Sequence, residues 1–192
     1  MSTAAPTEIH AEAVPGDERK TIVVVGLSMV GWRFCEALVQ NDTAKQYRIV
    51  SFCEEPMIAY NRVGLGQMFE HGEPDKLLMA EAAWYREHGI TVLTGHKAVS
   101  IDRAKKVVRS DKGAEVKYDK VVLATGSYAW VPPIPGADSK NVFVYRTVDD
   151  CQKIIAAAAR CDSAAVIGGG LLGLEGAKAC YDMKVRKVTV LE

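Results

Sequence analysis

At 192 residues the chain can hold one full domain, or one and part of another. Hydrophobic residues make up 48% and charged residues 25%, the balance of an ordinary globular protein, and Lys+Arg equal Asp+Glu at 24 each. That neutrality gives no sign of nucleic acid or an anionic membrane as partner, and no apolar run approaches the roughly 20 residues of a membrane span.

Residues Met1 to Lys20 carry Pro6, Pro15 and Gly16 without hydrophobic periodicity. They are expected to form a disordered tail, with neither the apolar core of a signal peptide nor the arginines of a transit peptide. Thr21-Ile-Val-Val-Val-Gly26-Leu-Ser28-Met-Val-Gly31 then reads as strand, tight turn and helix, the helix running over Val30 to Asn41. A helix N-terminus facing such a turn attracts phosphate through free N–H groups and its partial positive charge. The dinucleotide fingerprint G-x-G-x-x-G places three glycines here, and Ser28 stands at the middle position.

Tyr47 to Glu55 reads as a second parallel strand ending in acids and closed by Pro56. Glu54 lies somewhat farther beyond Gly26 than the usual distance of about 20 residues. A carboxylate there accepts ribose hydroxyls or is simply a solvated strand end, and the glycine turn upstream favours the ribose role. Met57 to Gly66 has no clear period; its Gly64 and Gly66 predict a loop pressed close to something, with Tyr60, Asn61 and Arg62 available to a polar ring or a phosphate. Lys76 to His88 has helical spacing at Leu77, Leu78, Ala82 and Tyr85, with Gly89 as its C-cap.

From Ile90 the period shortens. Ile90–Leu93, Ala98–Ile101, Lys106–Arg109 and Glu115–Tyr118 are read as an antiparallel meander. It feeds a buried parallel-type strand from Lys120 that ends at Ala124-Thr125-Gly126, and Val131 to Gly136 is a stiff proline-rich connection. After a helix over Cys151 to Arg160 comes a second glycine turn. Ala164-Ala-Val-Ile-Gly168-Gly-Gly170-Leu-Leu-Gly173 carries the complete fingerprint, and a strand then ends at the acid Glu192. A single G-x-G-x-x-G is weak, but two strand–glycine–helix units, each followed by an acid-ended strand, predict two nucleotide sites.

The five cysteines, Cys35, Cys53, Cys151, Cys161 and Cys180, show no C-x-x-C pair and no metal spacing, so they are expected to be reduced thiols of a cytoplasmic protein. His10, His71, His88 and His96 are scattered, which predicts no metal site.

With both turns in view, the sequence resembles the flavoprotein reductases built from two dinucleotide-binding domains, the group shaped like glutathione reductase and ferredoxin reductase. Within that group, Glu54 to Val63, Trp84 to Ile90, Ala124–Ser127 with Pro132–Gly136, Tyr145 to Asp150, and Gly168 to Glu175 look most like the N-terminal part of the large subunit of assimilatory NAD(P)H nitrite reductases. The resemblance implies an α/β fold: an FAD-binding Rossmann domain with an antiparallel meander over 21–148, then the truncated start of an NAD-binding Rossmann domain over 149–192. It further implies that Gly26, Ser28, Gly31 and Glu54 hold the adenosine diphosphate half of FAD. Asn61 and Arg62 would lie beside the flavin or its pyrophosphate, and Ala124, Thr125 and Gly126 would pass close to the cofactor. Gly168, Gly170 and Gly173 would bind the pyrophosphate of NAD(P)H, with Glu175 as the catalytic-site acid where nicotinamide and flavin meet. Glu192 as ribose acid favours NADH, because a carboxylate repels a 2′-phosphate.

The implied activity is hydride transfer from NAD(P)H to FAD, with electrons passed to a downstream metal-centre domain or acceptor protein absent from this sequence; a homodimer is compatible with it. Ser28 is expected to weaken FAD binding without abolishing it. The strands that complete the flavin domain, and the cysteine clusters needed to reduce nitrite, are not in these residues. The alternatives are a ferredoxin or rubredoxin reductase, an NADH oxidase, or a non-catalytic nucleotide-binding fragment.

Overall fold

The computed structural model of the protein describes residues 8–10 and 16–192. These form two compact units, one from the described residues up to Tyr60 with Leu78–Gly126, the other from Asn61–Leu77 with Ser127–Glu192. Residues 61–77 and 127–148, read in the sequence as flavin-domain residues, thus pack within the second unit.

The first unit is built on β1 (Lys20–Val25). β1 leads through α1 (Met29–Asn41) to β2 (Tyr47–Cys53). After α3 (Ala82–Glu87) come β3 (Ile90–Thr94), β4 (Ala98–Asp102), β5 (Val107–Ser110), β6 (Glu115–Lys117) and β7 (Lys120–Leu123); the short helix α2 (Gln67–His71) belongs to the second unit. Strands β3-β2-β1-β7, in that spatial order, form an all-parallel sheet. β1 is buried on both faces, as its unbroken apolar run requires.

Its side chains alternate between two cores. Ile22 and Val24 pack with Cys35 of α1 and Tyr85 of α3, whereas Val23 and Val25 pack with Phe52, Leu93 and Val108, which Ile101 and Val116 cover. Helices therefore cover one sheet face and the β4-β5-β6 meander the other. Each fully buried valine of β1 contributes about 1.5–3 kcal/mol by leaving water.

Three sequence expectations are corrected here. Ile90–Thr94 is a parallel edge strand of the main sheet, paired Ile49↔Ile90 through Cys53↔Thr94, and the antiparallel meander has only the three later strands. A short apolar run carries no mark of its pairing direction, and burial of Ile90, Val92, Leu93 and Thr94 is what the parallel position demands. The helix expected over Lys76 to His88 is broken into a 3₁₀ turn at Pro74–Leu77 and α3. Backbone groups between the two are used elsewhere: Asn61 N–H donates to the Leu77 carbonyl (2.8 Å) and Met79 N–H to that of Ala59 (3.0 Å). Gly89 does terminate α3 region, in the left-handed conformation at φ +65°.

The third concerns the expected tail. Residues 1–7 and 11–15 lie outside the described residues, but Glu8–His10 is docked. Ile9 is 1% exposed and exchanges two backbone hydrogen bonds with Val92, at 2.9 and 2.7 Å. An edge strand leaves N–H and C=O groups without partners, and one apolar residue of extended chain satisfies a pair of them here. Glu8 Oε1 lies 2.8 Å from Nε2 of the buried His96, whose Nδ1 is 2.9 Å from Ser110 Oγ.

In the second unit, α4 (Val148–Ala158) starts with a capping box in which Thr147 Oγ1 accepts from Asp150 N–H and Asp150 accepts from Thr147 N–H. β8 (Ser163–Ile167) and β9 (Lys187–Leu191) pair in parallel across the connecting helix α5 (Leu171–Asp182).

Candidate nucleotide-binding sites

The carboxyl ends of β2, β1 and β7 lie side by side, and each carries a residue of the first candidate site. Gly26 follows β1, Glu54 follows β2 and Ala124 follows β7; Gly26 N–H donates to Phe52 O (2.9 Å) and Ala124 N–H to Val25 O (2.8 Å). Nucleotides bind in such crevices, at the strand from which connections depart in both directions.

Gly26 has φ +98°, a conformation that disfavours a side chain, and a Cβ on it would sit 2.3 Å from the Ala124 carbonyl oxygen. A Cβ on Gly31 would meet the Gly26 carbonyl oxygen at 2.0 Å. These contacts hold helix, turn and β7 together and bring the α1 N-terminus against the turn. Ser28 is the N-cap of α1 in extended conformation (φ −95°), and its side chain makes no capping hydrogen bond. Thr125 and Gly126 are exposed beyond the buried Ala124.

The second turn repeats the strand–glycine–helix part of this construction, although a Cβ on Gly168 would meet nothing within 4 Å. Gly168 has φ +103° and donates its N–H to Leu191 O (2.8 Å), as Gly26 does to Phe52. A Cβ on Gly173 would lie 1.9 Å from the Gly168 carbonyl oxygen. Gly170 is the N-cap of α5, again extended, and its carbonyl accepts from Leu174 N–H at 2.9 Å, matching Ser28 and Trp32 at 2.9 Å. The two acids are not equivalent, however. Val25 pairs with Phe52 and Ile167 with Leu191, so Glu192 directly follows its paired residue while Glu54 comes one residue later. A Glu192 carboxylate oxygen accepts from Gly169 N–H, and the Glu54 carboxylate, exposed, is 2.9 Å from Lys97 Nζ.

Glu175, on α5, accepts a hydrogen bond from Tyr145 Oη at 3.0 Å. Asn61 and Arg62 belong to the same unit: Asn61 Oδ1 accepts from Val63 N–H (3.0 Å), and Arg62 Nη1 donates to the Arg146 carbonyl (3.0 Å). Gly66 explains the predicted close approach of that loop, since a Cβ there would lie 2.6 Å from Glu175 Oε1. The sequence marked Gly66 as a point of close approach without naming what it meets, and assigned no individual role to Tyr145. The signals available were the Tyr-Arg-Thr stretch and the paired glycines.

The residue pattern of the pyridine nucleotide-disulphide oxidoreductases matches residues 20–192, nearly everything from β1 onward.

The chain belongs to the pyridine nucleotide-disulphide oxidoreductase family.

This is a family of oxidoreductases that bind FAD and NAD(P)H. The chain is 45% identical over 164 residues to the nitrite reductase (NADH) large subunit of Escherichia coli, covering 85% of this chain and 19% of that one. Among solved structures, NADH:rubredoxin oxidoreductase from Clostridium acetobutylicum superposes with a TM-score of 0.77 at 28% identity, covering 90% of this chain and 45% of its own. A ferredoxin reductase from Rhodopseudomonas palustris gives 0.81 at 26% identity, covering 90% and 42%. The chain therefore spans about a fifth of the length of the nitrite reductase subunit it matches.

The family takes part of its name from disulphide chemistry. All five cysteines of this member are free, with Cys35, Cys53 and Cys151 buried. Burial pushes the Cys35 and Cys151 thiols up to about 12, far from the depressed values of reactive cysteines. Among the described residues no cluster of His, Cys, Asp or Glu is placed to hold a metal, and no helix is long and apolar enough to cross a membrane.

The donor sets fit the family's nucleotides. Both turns present exposed or half-buried helix N-termini, drawn onto the turn by the close Gly26–Gly31 and Gly168–Gly173 contacts, and free N–H groups at such a terminus are the chemistry a pyrophosphate needs.

Proposed function

We propose that the chain is the electron-entry portion of an FAD-dependent NAD(P)H oxidoreductase that serves nitrite reduction in the cytoplasm. The observation that carries this reading is the repeated turn: in each unit a positive-φ glycine precedes a helix whose first turn packs a second glycine on its carbonyl oxygen, Gly31 on Gly26 and Gly173 on Gly168. One dinucleotide per unit follows, with FAD at Gly26, Ser28, Gly31, Glu54 and Ala124–Gly126. NAD(P)H takes Gly168, Gly170, Gly173 and Glu192. The similarity to the E. coli nitrite reductase subunit points to nitrite as the final acceptor, through a metal centre outside these residues. A homodimer is compatible with this reading.

The flavin, when bound, supplies the hydride acceptor and the means of passing electrons on singly. The protein's part is positional. Gly26 and Gly31 let the backbone of β1 and α1 close on a pyrophosphate, and Glu54 offers acceptors to ribose hydroxyls. In the second unit Glu192 plays the ribose role and disfavours a 2′-phosphate, making NADH the preferred donor. Glu175 stands at the nicotinamide end, and Asn61 and Arg62 are assigned to the flavin ring or its pyrophosphate.

A second reading, a reductase for a small electron-carrier protein, draws on the fold shared with the rubredoxin and ferredoxin reductases. The test for the common core is spectroscopic. The purified protein should bind flavin with an absorbance band at about 450 nm that bleaches on adding NADH. A protein that stays colourless after incubation with FAD contradicts the proposal. Reduction of nitrite or of rubredoxin by the complete polypeptide separates the two readings.

A further inference from the structure

Glu175 is exposed, yet its carboxylate is not loose. Tyr145 Oη holds Oε1 at 3.0 Å, and Oε2 has no partner among the described residues. The Tyr145 ring is itself fixed, edge-on to Phe69 with centroids 5.2 Å apart. Burial first, and then the Glu175 carboxylate, raise the phenol above its ordinary value, so it remains a hydrogen-bond donor at neutral pH. Gly66 closes the arrangement: a Cβ there would come within 2.6 Å of Glu175 Oε1 and 3.8 Å of Tyr145 Oη.

A glutamate side chain has three rotatable bonds and loses much freedom when it must hold one orientation. Here a rigid aromatic donor holds one oxygen, leaving the other as a pre-oriented acceptor. An acceptor fixed in this way suits a ligand that brings a paired N–H donor, and the carboxamide of nicotinamide is such a group. Adenine-half contacts would come from Gly168–Gly173 and Glu192, so the Tyr145–Glu175 pair is separate from them in role.

We propose that Tyr145 is a positioning residue: it orients Glu175 toward the nicotinamide carboxamide, and Gly66 is glycine because the pair needs that space. This inference rests on the assignment of the second turn to NADH. It is tested by equilibrium binding of NADH and of ADP-ribose, which lacks nicotinamide, to the full chain and its variants. Tyr145→Phe keeps the ring against Phe69 and removes only the donor. It should weaken NADH about tenfold to a hundredfold, the loss expected for one hydrogen bond to a charged group, and leave ADP-ribose within about twofold. Glu175→Ala should weaken NADH at least as much, and adding Tyr145→Phe to it should change nothing further, because the two act through one contact.

Unchanged NADH affinity in Tyr145→Phe, with Glu175→Ala impaired, overturns the positioning role. Equal loss of NADH and ADP-ribose in Tyr145→Phe also overturns it, since that marks general disruption. If the unmodified chain binds neither ligand, the assignment of the second site fails and the proposal falls with it; if it binds NADH and Glu175→Ala binds NADH equally well, the second site stands and the proposal alone is overturned.

Discussion

The carbonyl oxygen of Gly26 lies 2.0 Å from the point where a Cβ on Gly31 would stand, so the first turn of α1 rests directly on the turn that precedes it. Neither group is the flexible end of a side chain, and a methyl group can be accommodated only by lifting α1 off β1. The Gly31→Ala variant is expected to lose about 1–3 kcal/mol of stability, the usual cost of overpacking, and most of its flavin affinity. Denaturant unfolding followed together with flavin fluorescence would check both. Native stability with native affinity would show that the contact is not what holds the turn. Gly173→Ala, facing Gly168 at 1.9 Å, should reproduce the effect for NADH.

Ser28 is a milder case. Its backbone is extended at φ −95°, so serine incurs no conformational strain there. What it adds is bulk where the proposed site would receive a pyrophosphate. Ser28→Gly should tighten FAD binding severalfold while slightly lowering the stability of the free protein, through the greater freedom of glycine in the unfolded chain. Ser28→Leu should eliminate binding without unfolding the sheet. Titration of the flavin-free protein with FAD decides it, and a weaker Ser28→Gly complex would mean that the hydroxyl itself donates to phosphate.

Glu54 faces Lys97 Nζ at 2.9 Å, and both side chains are substantially exposed. Such surface pairs contribute about 0–1 kcal/mol, so Lys97→Met should scarcely alter the melting temperature. Glu54→Ala should likewise be silent in stability yet lower FAD affinity about tenfold if the carboxylate accepts ribose hydroxyls. Thermal melts with and without FAD separate the two contributions. A variant whose flavin-bound melting temperature matches that of the parent would remove Glu54 from the site.

The docked segment Glu8–His10 has a pH signature. The hydrogen bond from His96 is the main influence drawing the Glu8 carboxyl below its ordinary 4.5; desolvation opposes it in part, and the hydrogen bond from His10 adds a smaller lowering. A depressed carboxylate stabilises the docked state above its unfolded value, and that contribution fades as pH falls through the lowered one. Acidification below 4.5 should therefore release the segment, opening the Ile9–Val92 hydrogen bonds while the sheet persists. Amide exchange at Val92 reads this directly. Glu8→Gln should show faster exchange already at neutral pH, and equal protection in the two proteins would dismiss the carboxylate as the tether.

Much of this molecule is legible in its sequence because glycine at a phosphate turn is a backbone requirement, visible wherever a β-branched run meets a helical period. Both turns, with α1 and α5 behind them, are of that kind; α4 is legible by its helical spacing, and β7 is parallel as read although its Leu123 is exposed rather than buried. What could not be read depends on partners remote in the chain. Ile90–Thr94 looks like any short strand until β2 is beside it. Leu77 and Leu78 continue a helical period, but their backbone neighbours are claimed by residues 59–61. Ile9 is one apolar residue in a proline-containing stretch, and nothing local predicts that the edge of β3 needs it. The staggered placement of Glu54 and Glu192 is likewise a matter of register, which spacing along the chain conceals because the two connections differ in length.

The shared extended backbone of Ser28 and Gly170 bears on how such a protein changes over generations. Serine and glycine codons of the AGC and GGC type differ by one base, and neither residue requires this turn to be rebuilt. Exchange between the two residues at that position is therefore a single mutational step that leaves the backbone of the turn as it is. Gly26 and Gly31 allow no such freedom. The turn thus divides into positions whose geometry excludes a side chain and one whose geometry admits it.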